Sequence, residues 1–200
     1  MKKMLMGSTV LGAFMLVGCG GGASTSEDTT TVEKSTGYYV DAKVKGVHYK
    51  CGSFDGNTTE EGEFTYEVSK SCTFSLGGIK LRDVNASVLK DHNITILEDD
   101  EPVARMLQSL DTDGNTSNGI QLSDALVGIL EDNNITEIPE EASDIAELLH
   151  ELRIRVHDFR GDLVSEDEVR EHLNETRQDI RNHGHRTQHG FLDVSDASES

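Results

Sequence analysis

The chain has 200 residues, with 18 Lys and Arg against 37 Asp and Glu and a formal net charge of −19. That acidity excludes a basic face for nucleic acid or anionic lipid. Tryptophan is absent and aromatics make up only 5% of residues, too few for an aromatic sugar-binding platform.

Residues 1–19 read as a leader. Lys2 and Lys3 form a basic start, and Met4 to Val17 form an apolar run too short to span a bilayer comfortably. The run closes on Leu16-Val17-Gly18-Cys19, which resembles the bacterial lipobox L-[VAS]-[GA]-C. The resemblance implies that Cys19 is diacylated on its thiol, becomes the new N-terminus and is acylated again. Several acyl chains anchor stably where a single chain binds reversibly. An ordinary cleaved leader with an incidental cysteine is the alternative. Gly20 stands where an inner-membrane retention signal would place Asp, which points to the outer membrane. Residues 20–37 are small and polar and read as a flexible tether. Nothing downstream is apolar for long enough to cross a bilayer, so the lipid is the expected membrane attachment.

Residues 38–90 read as a β-module. "YYVDAKVKGVHYKC" alternates over Val40, Ala42 and Val44, breaks at Gly46 and resumes with Val47 and Tyr49. "EFTYE" alternates around Phe64 and Tyr66, and "SCTFSLGGIKL" gives a strand, a Gly-Gly turn and a short return strand. Short strands spaced by turns predict a small antiparallel sandwich. With Cys19 committed to lipid, Cys51 and Cys72 remain as an even pair, read as a disulfide in an oxidising compartment. A metal or redox role is the lesser alternative, since no C-x-x-C spacing is present.

Residues 91–182 read as helical, with residues 183–200 as a disordered tail. Val103, Met106, Leu107 and Leu110 share one face of a helix starting near Pro102. Ser123 can cap a second helix carrying Leu126, Val127 and Leu130. Ile145, Leu148, Leu149, Leu152 and Val156 mark a third, ending near Gly161. Ser165 and Glu168 form a capping box that opens a fourth through Val169, Leu173 and Ile180. The expected class is α+β: a small antiparallel β-sandwich-like module followed by a short-helix bundle.

"VKGVHYKCGSFDGNTTEEGEFTYE" resembles the G-V-x-Y/V…T-x-x-x-G-x-F-x-Y signature of carboxypeptidase regulatory-like, transthyretin-like modules. The longer order of segments, through "TFSLGGIKL" and "LDTDGNTSNGI" to "VSEDEVREHLNET", is similar to a set of bacterial secreted lipoproteins and adhesin-like proteins. The resemblance covers about half of the processed chain and implies a cell-surface or periplasmic domain of undetermined activity, not an enzyme.

"LDTDGNTSNGIQLSD", Leu110 to Asp124, admits three readings. Counted as an EF-hand loop from Asp111, it places Asp111, Asp113, Asn115 and Ser117 at positions 1, 3, 5 and 7. Thr116 then occupies the glycine position and Leu122 the closing-acid position, so only a longer loop closed by Asp124 would suit Ca²⁺. The same stretch holds an N-glycosylation triplet. Asn-x-Ser/Thr occurs at Asn57, Asn85, Asn93, Asn115, Asn134 and Asn174, and the first five carry Asp two residues earlier. Random placement of this composition predicts roughly 0.3 such acid-bearing triplets, and turn chemistry raises that only to about one. Third, Asp, Asn and Gly between helices form turns without any ligand. A glycan on Asn115 would crowd a coordinating oxygen, so metal and sugar exclude each other there. The loop is therefore read as structural with an optional weak Ca²⁺ site at Asp111, Asp113, Asn115 and Asp124, and the glycan candidates as Asn57, Asn85, Asn93 and Asn134.

His183, His185 and His189 could bind Zn²⁺ or Ni²⁺, but a tail with no acid or thiol between its histidines reads as merely polar. Glu147 and His150 form one E-x-x-H without a second copy, and no nucleophile-elbow, phosphate-loop or H-E-x-x-H pattern appears. The expected function is a non-catalytic binding, adhesion or structural module on the cell envelope, with an envelope or extracellular protein or glycan as partner. A metal-handling protein and a small hydrolase are the alternatives. A pocket joining two carboxylates with shifted pKa values would favour the hydrolase.

Overall fold

A computed structural model describes residues 31–183. The first strand, β1 (Lys34–Val40), begins within the stretch expected as tether. It is followed by β2 (Val44–Lys45), β3 (His48–Cys51), β4 (Phe54–Asn57), β5 (Glu63–Glu67), β6 (Cys72–Leu76), β7 (Ile79–Val84) and β8 (Thr95–Leu97). Then come α1 (Glu101–Ser109), β9 (Ile120–Gln121), α2 (Asp124–Asp132), α3 (Ala142–Arg155) and α4 (Glu166–His183). The class is α+β, with the strand-rich stretch preceding the helices.

Two sheets face each other. One is antiparallel, the hairpins β3–β4 and β6–β7 joined through β3 and β6 in the order β4-β3-β6-β7; the other runs β5-β1-β8, with β1 antiparallel to β5 and parallel to β8. Aromatic side chains meet between them. Tyr39 stacks on Phe74 at 4.7 Å between centroids, Phe64 meets Phe74 edge-on at 5.0 Å, and Tyr49 tilts over Phe64 at 5.8 Å. Such pairs contribute about 0.5–1.5 kcal/mol each beyond the area they bury.

The parallel pairs β1–β8 and β2–β9 draw the later half of the chain back onto the first. Of their strands, β2, β8 and β9 are only two or three residues long and show no period of their own, so only hairpins were readable. As a result, one core runs from Tyr39 and Phe74 to Leu107, Leu130 and Leu149 without a break near residue 90. The burial phase around β1 also differs from the alternation over Val40, Ala42 and Val44. Tyr39 and Asp41 are buried, whereas Val40 and Ala42 are only partly so. The strand stops at Val40, and Ala42 turns with φ +57°.

Helix signals are realised locally. Asp100 caps α1 by accepting from Val103 N–H at 3.2 Å, and Ser123 caps α2 by accepting from Leu126 N–H at 3.3 Å. At α4 the capping box closes both ways: Ser165 N–H donates to Glu168 Oε2 at 2.8 Å, and Glu168 N–H donates to Ser165 Oγ at 3.3 Å. α3 ends at Arg155 rather than near Gly161, because the chain turns at Val156 to insert Phe159 into the core. Gly161 then packs where a Cβ would stand 2.4 Å from Ser109 carbonyl oxygen, so no larger residue fits.

The disulfide is present: Cys51 and Cys72 sit opposite each other in the β3–β6 register, 21 residues apart in sequence. Closing a loop of that size stabilises by roughly 3 kcal/mol in the chain-entropy model. Cys51→Ala with Cys72→Ala is expected to lower the unfolding free energy by that amount, and the urea midpoint with it, while the sheet, held by its ladder and aromatic core, still folds. Unchanged midpoints would show that the bridge contributes no stability.

Candidate functional site

The stretch from Asp111 closes on itself. Asp111 is buried; its Oδ1 accepts from Gln121 N–H at 2.9 Å and its Oδ2 from Asn115 N–H at 2.7 Å. Asp113 Oδ1 accepts from the same Asn115 N–H at 2.9 Å and its Oδ2 from Asn118 Nδ2 at 3.0 Å. Asn115 Oδ1 accepts from Ser117 Oγ at 2.7 Å. Gly114, at φ +70°, packs against the Arg160 carbonyl, which leaves no room for a Cβ. Burial pushes Asp111 up to about 6, while the Asn118 amide holds Asp113 below its usual range. The structure thus brings Asp111, Asp113 and Asn115 together through shared hydrogen bonds. Asp124 contributes to none of these bonds; it is exposed in the first turn of α2. Among the described residues, no group of three His, Cys, Asp or Glu side chains is arranged to hold a metal.

Beside this loop lies a cleft of about 580 Å³ that the sequence did not announce. Its walls are β1 and the turn after it, Thr95 of β8, the segment Thr116–Gly119, and the face of α4 carrying His172, Glu175, Thr176 and Ile180. Thr176 Oγ1 accepts from Ala42 N–H at 3.1 Å and so fastens α4 to the turn. Within the lining, Lys43 pairs with Glu61 at 2.5 Å. The polar lining mixes hydroxyls such as Tyr38, Thr95 and Ser117 and the Asn118 amide with the acids Glu61, Glu175 and Asp179, interleaved with Val40, Ala42 and Ile180.

Behind His172 stands Asp41, fully buried. Gln108 Nε2 donates to Asp41 Oδ2 at 2.9 Å. Asp41 Oδ1 faces His172 Nε2 at 3.6 Å, and neither atom has a hydrogen-bond partner among the described residues. Burial pushes Asp41 up to about 8, helped by the negative Glu98, and burial also lowers His172. At neutral pH the pair is therefore a protonated acid facing a neutral imidazole across 3.6 Å, a gap longer than a hydrogen bond.

A second buried polar set centres on Glu98. Tyr39 Oη donates to Glu98 Oε2, and Arg82 reaches both carboxylate oxygens, Nε to Oε2 at 3.1 Å and Nη2 to Oε1 at 2.8 Å. Arg82 Nη2 also donates to Asp99 Oδ1 at 2.8 Å. Neither Asp41 nor Glu98 lines the cleft. None of Asp41, His172, Gln108, Arg82 or Glu98 was singled out from the sequence. The one available signal was Asp41 sharing a strand phase with the buried Tyr39.

The glycan candidates Asn57, Asn85, Asn93 and Asn134 are all exposed, as is Asn115. Cys19, His185 and His189 lie outside the described residues, and the side chain of His183 is not described. Among the described residues no helix is long and apolar enough to cross a membrane. No protein-family model, curated protein or solved structure matches this chain.

Proposed function

We propose that this is a lipid-anchored cell-envelope protein that binds a small ligand rich in hydroxyl and amide groups in the cleft against α4, without transforming it. The observation that carries the reading is the cleft itself, whose lining offers hydrogen bonds from several elements at once, as small-ligand sites do. The L-V-G-C leader supports lipid anchoring, Gly20 supports the outer membrane, and the resemblance to secreted lipoproteins supports a binding or adhesion role. The Asp111–Asp124 loop is held as an optional weak Ca²⁺ site, since its oxygens keep spare lone pairs; a calorimetric titration that gives no heat removes it.

A second reading, a small hydrolase, is favoured by His172, which lines the cleft with the buried acid Asp41 behind it, because a neutral imidazole facing a cleft can take up a proton. One experiment addresses both. Amide spectra of the processed, labelled protein are followed while soluble peptidoglycan fragments, which carry sugars, amides and amines, are added. Binding predicts shifts confined to Tyr38, Asn118, His172, Thr176 and their neighbours. Product signals that grow with time and vanish in His172→Gln would replace binding by hydrolysis. No shift across the fragment panel at millimolar concentration would overturn both.

A further inference from the structure

The structure separates the Asn-x-Ser/Thr triplets into two kinds. The sixth, at Asn174, is the one without a preceding Asp, and it lies inside α4 with its hydroxyl partner Thr176 buried against Ala42 N–H. All five asparagines that carry Asp two residues earlier are exposed. They differ in how firmly the backbone is held. Asn57 is in the β3–β4 ladder opposite His48, and the Thr95 that completes the Asn93 triplet is paired with Tyr38 in β8. Asn115 accepts from its own Ser117 inside the closed loop. Asn85 and Asn134 lie outside any ladder, helix interior or closed loop: each sits just past an element, held only by local turn bonds to Val88 and Glu131, with its Ser87 or Thr136 exposed. Asn134 has φ +52°, the left-handed turn conformation that asparagine tolerates well. Their acids are exposed: Asp83, near the end of β7, pairs with Lys80 and accepts from Thr73 Oγ1 at 2.7 Å, and Asp132, at the end of α2, pairs with Arg155 in a surface contact that exchanges readily with other partners.

We propose that Asn85 and Asn134 are N-glycosylation sites, modified by an envelope oligosaccharyltransferase that requires an acid two residues before the asparagine. In the reaction a bond forms between Asn Nδ2 and the anomeric carbon of a sugar carried on a polyprenyl diphosphate. The anomeric carbon–oxygen bond to the diphosphate breaks, polyprenyl diphosphate leaves with the electron pair, and the amide proton passes to a base of the transferase. A transferase must draw the acceptor into its own site, so a triplet in a turn is usable where one in a ladder or helix is not. The chemistry also fits the count, because five acid-bearing triplets stand against about one expected from composition and turn enrichment.

The inference rests on the export proposed above, and one experiment keeps the two apart. The full chain is purified from the envelope of its native cell and measured by intact mass and by peptide mass spectrometry. The expected result is acyl mass on Cys19, sugar mass on the Asn85 and Asn134 peptides, and none on Asn174. Asp83→Asn and Asp132→Asn, surface changes that leave the fold intact, should each abolish sugar at the neighbouring asparagine. Acylated protein with both asparagines unmodified overturns glycosylation and leaves export standing. Sugar that persists in the Asp→Asn variants overturns the role of the acid. Protein lacking both lipid and sugar overturns export and this inference together.

Discussion

Asp41→Asn is expected to stabilise the protein at neutral pH and to remove much of its loss of stability as pH rises. The unfolded chain ionises Asp41 near its ordinary 3.8, whereas the folded protein holds the proton until about 8. Below about pH 4 both states are protonated and no linkage arises. Between those values only the unfolded chain releases the proton, so each pH unit costs the native state about 1.4 kcal/mol. By neutral pH the deficit is on the order of 4 kcal/mol. Asparagine has the shape of the protonated acid: its oxygen can still accept from Gln108, and its amide can donate toward His172 Nε2. His172 acts in the opposite sense. Its folded pKa is depressed, so stability is lost as pH falls below its ordinary 6.5, in variant and parent alike. Asp111, raised to about 6, acts in the same sense as Asp41 and is also common to both. Urea unfolding from about pH 4 to about pH 9 checks the difference between the two proteins, which should start near zero, widen steadily and level off above about 8. Parallel curves would show that Asp41 is not held protonated.

Arg82→Met is expected to destabilise by about 3–5 kcal/mol, because it strands a buried carboxylate. The Glu98 side chain is 0% exposed and that of Arg82 11%, so water replaces little of what the guanidinium supplied. Tyr39→Phe removes one of the carboxylate's donors but leaves the ion pair, and should cost less, about 1–3 kcal/mol. The double variant Arg82→Met with Glu98→Gln should recover much of the loss, since the charge that needed company has gone. Denaturant unfolding of the parent, Arg82→Met, Glu98→Gln and the double variant closes the cycle, with Tyr39→Phe measured beside them. Equal losses in the single and double variants would place the cost in lost packing of the arginine stem rather than in the stranded charge.

The elements legible in the sequence were those specified by neighbours in the chain. Val103, Met106 and Leu107 are buried on one face of α1 with Leu110 buried at its C-cap, and Phe64, Tyr66 and Phe74 are buried in their strands. The Ser165–Glu168 box and the Cys51–Cys72 bridge were readable because a few residues, or an even count of remaining cysteines, sufficed. What escaped was long-range. Glu98 and Asp41 look like ordinary surface acids until Arg82, Gln108 and His172 arrive from distant segments. The cleft is made by β1, the 116–119 segment and α4, and no local pattern announces a concavity shared by three elements. Even the Asp111 stretch was legible only as turn chemistry. That its carboxylate reaches across to Gln121 depends on β9 pairing with β2.

The tie between Thr176 and Ala42 sets a timetable for the molecule's maturation. One end of that contact is near the start of the described chain and the other near its finish, and β1 must also wait for β8. A ribosome or export channel that has delivered three quarters of the polypeptide has therefore delivered neither the cleft nor the cover over Asp41. Stalled or clipped products should persist as sticky, protease-sensitive intermediates rather than as smaller working modules, and acquisition of the native state should be all but simultaneous with release of the C-terminal helix.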